Sequence, residues 1–136
     1  MNIEGFDHVA VPIGKVDAMV AFYRRLGFRV KRFEEDGLVF YAAHVGAHRF
    51  NFHPPETWQA ATFGLRAPHA VPGCGDFCFV WDGTVDALLD FLRGAGAAVE
   101  RGPVAMTGGR GGGEVTGQSV YIRDPDANLL EFIVYP

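Results

Sequence analysis

The 136 residues carry a net charge of −4, with 49% apolar and 21% charged side chains, an ordinary globular composition that excludes a disordered chain. Lys and Arg are scattered rather than gathered into a phosphate-neutralising stripe, so nucleic acid is not an expected partner. No apolar run reaches the eighteen or so residues of a membrane span, and the first ten residues lack the basic and apolar regions of a signal peptide; the expected location is the cytoplasm, with no membrane partner.

The chain opens on a β-like run, HVAVPI from His8. Val9, Val11 and Ile13 alternate inward and leave His8 and Ala10 on the opposite face. From Val16 to Val30, VDAMVAFYRRLGFRV places Val16, Met19, Val20, Tyr23 and Leu26 at helical spacing. Gly27 follows, where a left-handed C-terminal residue suits glycine. Three more strand candidates come next, Phe28 to Phe33, Leu38 to Ala43 and Arg49 to His53, separated by the turns EEDG and HVGA. In the last of these Phe50 and Phe52 face a core, so Arg49, Asn51 and His53 share the other side. A linker from about residue 54 to 75 is rich in proline and glycine, and its Trp58 and Phe63 predict that it packs rather than hangs free.

The second half repeats the first. DFCFVW from Asp76 is again β-like, and Val85 to Val99, VDALLDFLRGAGAAV, matches Val16 to Val30 at seven of fifteen positions, where chance gives about one. Strand candidates follow at Ala97 to Glu100, a less regular stretch near Val104 to Thr107, Ser119 to Ile122 and Leu129 to Tyr135. Cys74 and Cys78 are too few for a disulfide framework and read as packing residues. The expected architecture is α+β, two βαβββ modules at about 1–54 and 76–136 within one domain spanning 1–136. One helix for four strands covers one sheet face and leaves the other, concave, for solvent, a partner or a ligand.

Polar residues on that open face are where function is expected. In LLEFIV, Leu130, Phe132 and Val134 pack under the helices and leave Glu131 opposite, and a carboxylate in an apolar run is seldom buried unpaired. His8, His53 and Glu131 together form the two-imidazole, one-carboxylate set that leaves coordination positions open on Fe, Mn, Ni, Co and sometimes Zn. Taken singly, His8 also reads as a solvated edge residue, and His53 as the end of a strand before Pro54 and Pro55. Residues 108–113, GGRGGG, lack the Lys-Ser ending and the following helix of a phosphate loop. They read as a flap from which Arg110 reaches an anionic substrate.

DHVAVPI, AFYRRLGF, FNFHPP, PGCGDFCFVWD and SVYIRDPDANLLEFIVYP resemble, along nearly the whole chain, the vicinal-oxygen-chelate superfamily of glyoxalases, bleomycin-resistance proteins and extradiol dioxygenases. The likeness is greatest to bacterial glyoxalase-like proteins akin to glyoxalase-domain-containing protein five. The resemblance implies a glyoxalase-like fold, a homodimer, and metal ligands at His8, His53 and Glu131. Asp76 stands where many members carry histidine, as a fourth ligand, an anchor for a water or a strand cap. The resemblance further implies an enzyme in which a divalent metal (Fe, Mn, Ni, Co or Zn) polarises two vicinal oxygens of a small molecule, by lyase or dioxygenase chemistry. Tyr121 is then either a catalytic hydrogen-bond donor or an aromatic packed beside the sheet, and Asn51, Arg49 and Arg110 are substrate contacts. Two departures weaken individual assignments. No glutamate stands on the fourth strand of the first module, and no histidine lies among residues 111–114, where a dioxygenase carries its proton shuttle. The alternative is a metal-free, drug-sequestering protein of the bleomycin-resistance type, with Trp58, Trp81, Phe63 and Tyr41 as aromatic walls.

Overall fold

A computed structural model describes residues 1–136 as two units, Met1–Cys74 and Gly75–Pro136. The first contains β1 (His8–Pro12), α1 (Val16–Arg25), β2 (Arg29–Glu35), β3 (Leu38–Val45), β4 (His48–His53) and the short α2 (Pro55–Trp58). The second contains β5 (Asp76–Val80), α3 (Val85–Gly94), β6 (Arg101–Thr107), β7 (Thr116–Arg123) and β8 (Leu129–Val134). The sheet orders are β1-β4-β3-β2 and β5-β8-β7-β6. In each, the first strand runs parallel to the fourth and the other pairs are antiparallel. This is the glyoxalase-like α+β fold, with the βαβββ order occurring twice. No helix is long and apolar enough to cross a membrane.

Each helix buries one stripe on one face of its own sheet. On α1, Met19, Val20, Phe22 and Tyr23 are buried, and Tyr23 meets Phe28 edge-on and Phe52 of β4 at ring centroids 5.1 Å apart. On α3, Leu88 and Leu92 are fully buried in a unit whose β7 and β8 bury Val120, Ile122 and Leu130 just as completely. The two helices start differently: Thr84 caps α3 by accepting a hydrogen bond from the Ala87 amide at 3.1 Å, whereas α1 begins at Lys15 with no side-chain cap. They end alike, through Gly27 at φ +86° and Gly96 at φ +72°, a left-handed backbone that favours glycine.

Two expectations are corrected. Ala97 to Glu100 is not a strand: the Ala97 amide donates back to Leu92 at the end of α3, and β6 begins only at Arg101, with a register shift between Arg101 and Val104. Cys74 and Cys78 are exposed free thiols rather than packing residues. In β5 the bulkier Phe77 and Phe79 take the helix-covered face, Phe79 against Phe132, and alternation turns Cys78 to the other side. The linker packs on the first unit as expected. Thr57 is fully buried and its Oγ1 donates to the Val39 carbonyl at 2.5 Å, while Trp58 Nε1 donates to the Ile13 carbonyl at 3.1 Å.

Candidate functional site

The register arranges the open face of the first sheet in three cross-strand rows. Arg29, His44, Arg49 and His8 are successive partners across β2, β3, β4 and β1; the middle row is Lys31, Ala42, Asn51 and Ala10; the third is Phe33, Phe40, His53 and Pro12. His8 Nδ1 lies 2.6 Å from Asp7 Oδ1, the carboxylate–imidazole pairing that orients a metal-ligating ring and leaves Nε2 for a ligand. That hydrogen bond, and then the charge of His8, hold the Asp7 carboxyl below the usual carboxylate range. Asn51 Oδ1 and Arg49 Nε are buried and have no hydrogen-bond partner, the condition that marks a polar group waiting for something outside the chain's own contacts.

His53 is a different kind of residue. It is 7% exposed and stands edge-on between Phe40 and Phe63, at ring centroids of 5.4 and 5.1 Å. Burial, and then the charge of Arg66, push its pKa below the usual histidine value, so the ring is neutral at neutral pH. It shares a face with His8 but not a row. His8 is opposite Arg49 and His53 opposite Pro12, four residues further along the strands, or about 13 Å at the rise of a β-strand. Both side chains leave the same sheet face in nearly the same direction, so their rings stay about as far apart as their backbones. Two donors on one cation, by contrast, each bonded at about 2 Å, lie no more than about 4 Å apart. The spacing therefore does not bring the two imidazoles together.

The lowered His53 pKa has a sign that can be checked. As pH falls below about 6.5 the unfolded chain takes up the proton before the folded one does. The fold should thus be most stable above that pH and lose stability as the pH drops toward the folded pKa. His44, lowered by burial and by Arg29, Arg49 and Lys31, adds in the same direction. Thermal melts between about pH 8 and pH 5 should show the loss, and His53→Gln should flatten part of it.

On the second sheet Glu131 lies between Cys78 of β5 and Tyr121 of β7, its partners on either side. It accepts a hydrogen bond from Ser119 Oγ at 2.6 Å, and Ser119 is wholly buried. Burial, and then the hydrogen bond and charge of Glu131, push the Tyr121 phenol up, so it stays protonated and able to donate. Although Cys78 is solvent-accessible as a residue, its thiol is partly desolvated against the sheet, and that, followed by Glu131, pushes it up to about 12, which keeps it from acting as a thiolate nucleophile. Asp76 begins β5 on the same face, opposite Leu129 and one row from Glu131. Beside this face opens a cavity of about 560 Å³ lined by Cys78, Glu131, Ile133, Arg110 and Tyr135 among others. The Arg110 guanidinium lies 4.2 Å over the Tyr135 ring, and its amide donates to the Tyr135 hydroxyl at 3.3 Å. The glycine-rich segment thus brings Arg110 to the cavity that holds Glu131.

Of the four aromatic residues expected as walls, Trp81 packs on Phe91 of α3 and Tyr41 pairs with Phe52, both on helix-covered faces. Trp58 is tied to Ile13 and lies under Arg66, and Phe63 alone of the four packs, edge-on, against open-face residues, Phe40 and His53.

The repeat also identifies a residue that the sequence reading cast only as a substrate contact. The Ile13 amide bonds the His53 carbonyl just as the Trp81 amide bonds the Ile133 carbonyl, each at 2.9 Å. His53 is therefore the counterpart of Ile133, Asn51 of Glu131, and His8 of Asp76. Setting FNFH over LEFI would have found this from the sequence. The structure contains no group of three or more His, Cys, Asp or Glu side chains placed to hold a metal ion; His8 and Asn51 belong to the first unit, Asp76 and Glu131 to the second.

Comparison with known proteins fits this organisation. The family model described as "Glyoxalase/Bleomycin resistance protein/Dioxygenase superfamily" matches residues 5–132. Virulence protein STM3117 of Salmonella typhimurium is 32% identical over 138 residues, covering 99% of this chain and 87% of that protein. Its crystal structure superposes with a TM-score of 0.84 over the full length of both chains. Glyoxalase domain-containing protein RDO1 of Mycosarcoma maydis is 31% identical over 135 residues, 99% of this chain and 70% of that one. At the level of fold alone, TnmS3, an antibiotic binding protein from a Streptomyces species, matches with a TM-score of 0.71 at 19% identity, over 100% of this chain and 99% of that one.

Proposed function

The chain belongs to the glyoxalase/bleomycin resistance protein/dioxygenase superfamily, and from that membership we propose a metal-dependent enzyme that acts on a small molecule through bidentate oxygen coordination to a divalent cation. The chemistry is that of a lyase or a dioxygenase, and the working form is a cytoplasmic homodimer. One observation carries the metal reading. The four repeat-equivalent positions His8, Asn51, Asp76 and Glu131 all bear nitrogen or oxygen donors on open faces, and Asn51 Oδ1 is buried with nothing donating to it. The proposed donors are His8 with Asn51 on the first sheet and Glu131 with Asp76 on the second, His8 and Glu131 being the principal ones. The distance of about 13 Å between His8 and His53 along the sheet supports reading His53 as a neutral neighbour of the site rather than as a second ligand of an ion bound to His8. A mixed set of imidazole and oxygen donors suits Mn, Fe, Co, Ni or Zn.

When bound, the metal supplies Lewis acidity that polarises a pair of substrate oxygens. The chain's own groups supply the rest. Ser119 fixes the Glu131 carboxylate, Tyr121 offers a protonated phenol beside it, and Arg110 offers a cation to an anionic substrate. A second reading draws on Asn51, a neutral amide at the counterpart of Glu131: a metal-free protein that binds a small molecule without transforming it. Elemental analysis separates the two. Protein purified without chelator, or reloaded with Mn, Fe, Co, Ni or Zn salts, should carry about one metal per chain. Less than about a tenth of a metal per chain after reloading would overturn the metal reading in favour of the binding one.

A further inference from the structure

One end of the first sheet's open face is basic from edge to edge. Arg29, His44, Arg49 and His8 stand abreast on four adjacent strands. Directly opposed side chains on a sheet have Cβ atoms about 5 Å apart, and like charges so placed repel. The repulsion leaves a mark on His44, whose pKa lies below the ordinary value first through burial and then through the charges of Arg29, Arg49 and Lys31. Little within the unit offsets it. Asp7 reaches the row but is bonded to His8 at 2.6 Å, and Glu34 pairs with Arg32, which the strand alternation turns to the other face. Arg49 takes part in no ion pair, and its Nε is buried with no acceptor. A cavity of about 240 Å³ opens at the Arg29 and His44 end, walled also by Leu26 and Phe28. One row further along, about 7 Å away, Asn51 stands between Ala42, which is covered, and Ala10, which is exposed.

We propose that this row binds a small anion bearing a carboxylate or phosphate group, held by Arg29, His44 and Arg49, with its uncharged part lying over the exposed Ala10. A guanidinium fork meets either headgroup through paired, charge-assisted hydrogen bonds. The anion supplies the missing acceptor for Arg49 Nε and the missing counter-charge for the row. This deepens the functional reading by adding an anion-binding row on the first sheet, and it rests on that reading only in identifying the anion with the substrate. The binding itself needs neither the metal nor the second unit.

The test is calorimetric titration of full-length, chelator-stripped protein at low salt with inorganic phosphate, malonate and phenyl phosphate. The expected result is saturable binding of phosphate, malonate or both, with the preference identifying the headgroup, and phenyl phosphate binding about tenfold more tightly than phosphate. Arg29→Gln and Arg49→Gln should each weaken binding by about tenfold or more, while Arg93→Gln on α3 should leave it unchanged. Without anion at low salt, Arg49→Gln should hold or raise the melting temperature, because it relieves repulsion; a purely structural arginine would lower it. No saturable binding of any of the three probes, or binding unaltered by Arg49→Gln, overturns the proposal. Phenyl phosphate no tighter than phosphate overturns its apolar half. Glu131→Gln separates this proposal from the metal reading: it should remove metal and leave phosphate or malonate binding intact, so each can fail while the other stands.

Discussion

Glu131→Gln should lower divalent-metal affinity by at least about a hundredfold while leaving the melting temperature within about 2 °C of wild type. The reasoning begins with what the substitution keeps. Gln has the same length, so Ser119 Oγ still finds an acceptor at the position where it now donates at 2.6 Å, and the Glu131 side chain is only partly buried, so no packed volume is lost. What disappears is the negative charge. Removing an outer partner that merely orients a ligand costs about ten- to hundredfold in metal affinity, and removing a ligand's charge should cost more. The measurement is competition titration against a metal indicator, together with elemental analysis of reloaded protein. Affinity within about threefold of wild type would remove Glu131 from the ligand set. A melting temperature that collapses would instead assign it a structural part.

Asn128→Ala should destabilise the protein by about 3 kcal/mol and lower the melting temperature by on the order of 10 °C. Asn128 is fully buried and joins three pieces of backbone. Its Oδ1 accepts from the Gly75 amide at 2.7 Å, just before β5, and its Nδ2 donates to Asp124 Oδ2 at 2.8 Å. Asp124 Oδ1 accepts in turn from the amides of Asp126 and Asn128, each at 3.0 Å. The turn they stabilise holds Ala127 at φ +70°, a left-handed backbone that an L-residue adopts at a cost. Alanine at 128 takes the side-chain acceptor from the Gly75 amide and one donor from Asp124, each hydrogen bond worth about 1–3 kcal/mol. The Leu129 amide, which donates to the Gly75 carbonyl at 3.0 Å, would remain as the adjacent tie. β5 should therefore loosen before the rest of the sheet, and with it the positions of Asp76 and Cys78 beside Glu131. Denaturant melts measure the first effect and amide exchange on β5 the second; a loss below about 1 kcal/mol would show that water replaces the amide side chain without penalty.

The helices were legible because their repeated fifteen-residue segments carry both the apolar stripe and the closing glycine, and α1 and α3 begin at the expected Val16 and Val85. Strands β1, β3, β4, β5 and β8 were legible by alternation to within a residue or two. β6 was not, because Gly102 and Pro103 interrupt the pattern where the register shifts against β7. The two cysteines, expected to pack, are exposed: alternation sets Cys78 on the face of Asp76, and periodicity does not say whether anything covers that face. Glu131 was legible on the face away from the helices, but its direct opposition to Tyr121, and the part of Ser119 in holding the carboxylate, needed the β7–β8 ladder.

By itself the sequence determined the duplication, the helix for each module, and which side chains look toward the helix and which look away, because those follow from periodicities of 3.6 and 2 that any stretch of chain displays locally. Only the folded sheets decided how far along each strand a side chain stands from its neighbours. Alternation is unchanged when a strand slides by two residues, so it names a face and leaves the row open. That freedom is why His8 and His53 share a face yet stand about 13 Å apart, and why Asn51 rather than His53 answers to Glu131. It is also why Arg29, His44, Arg49 and His8, separate in the chain, come to stand side by side.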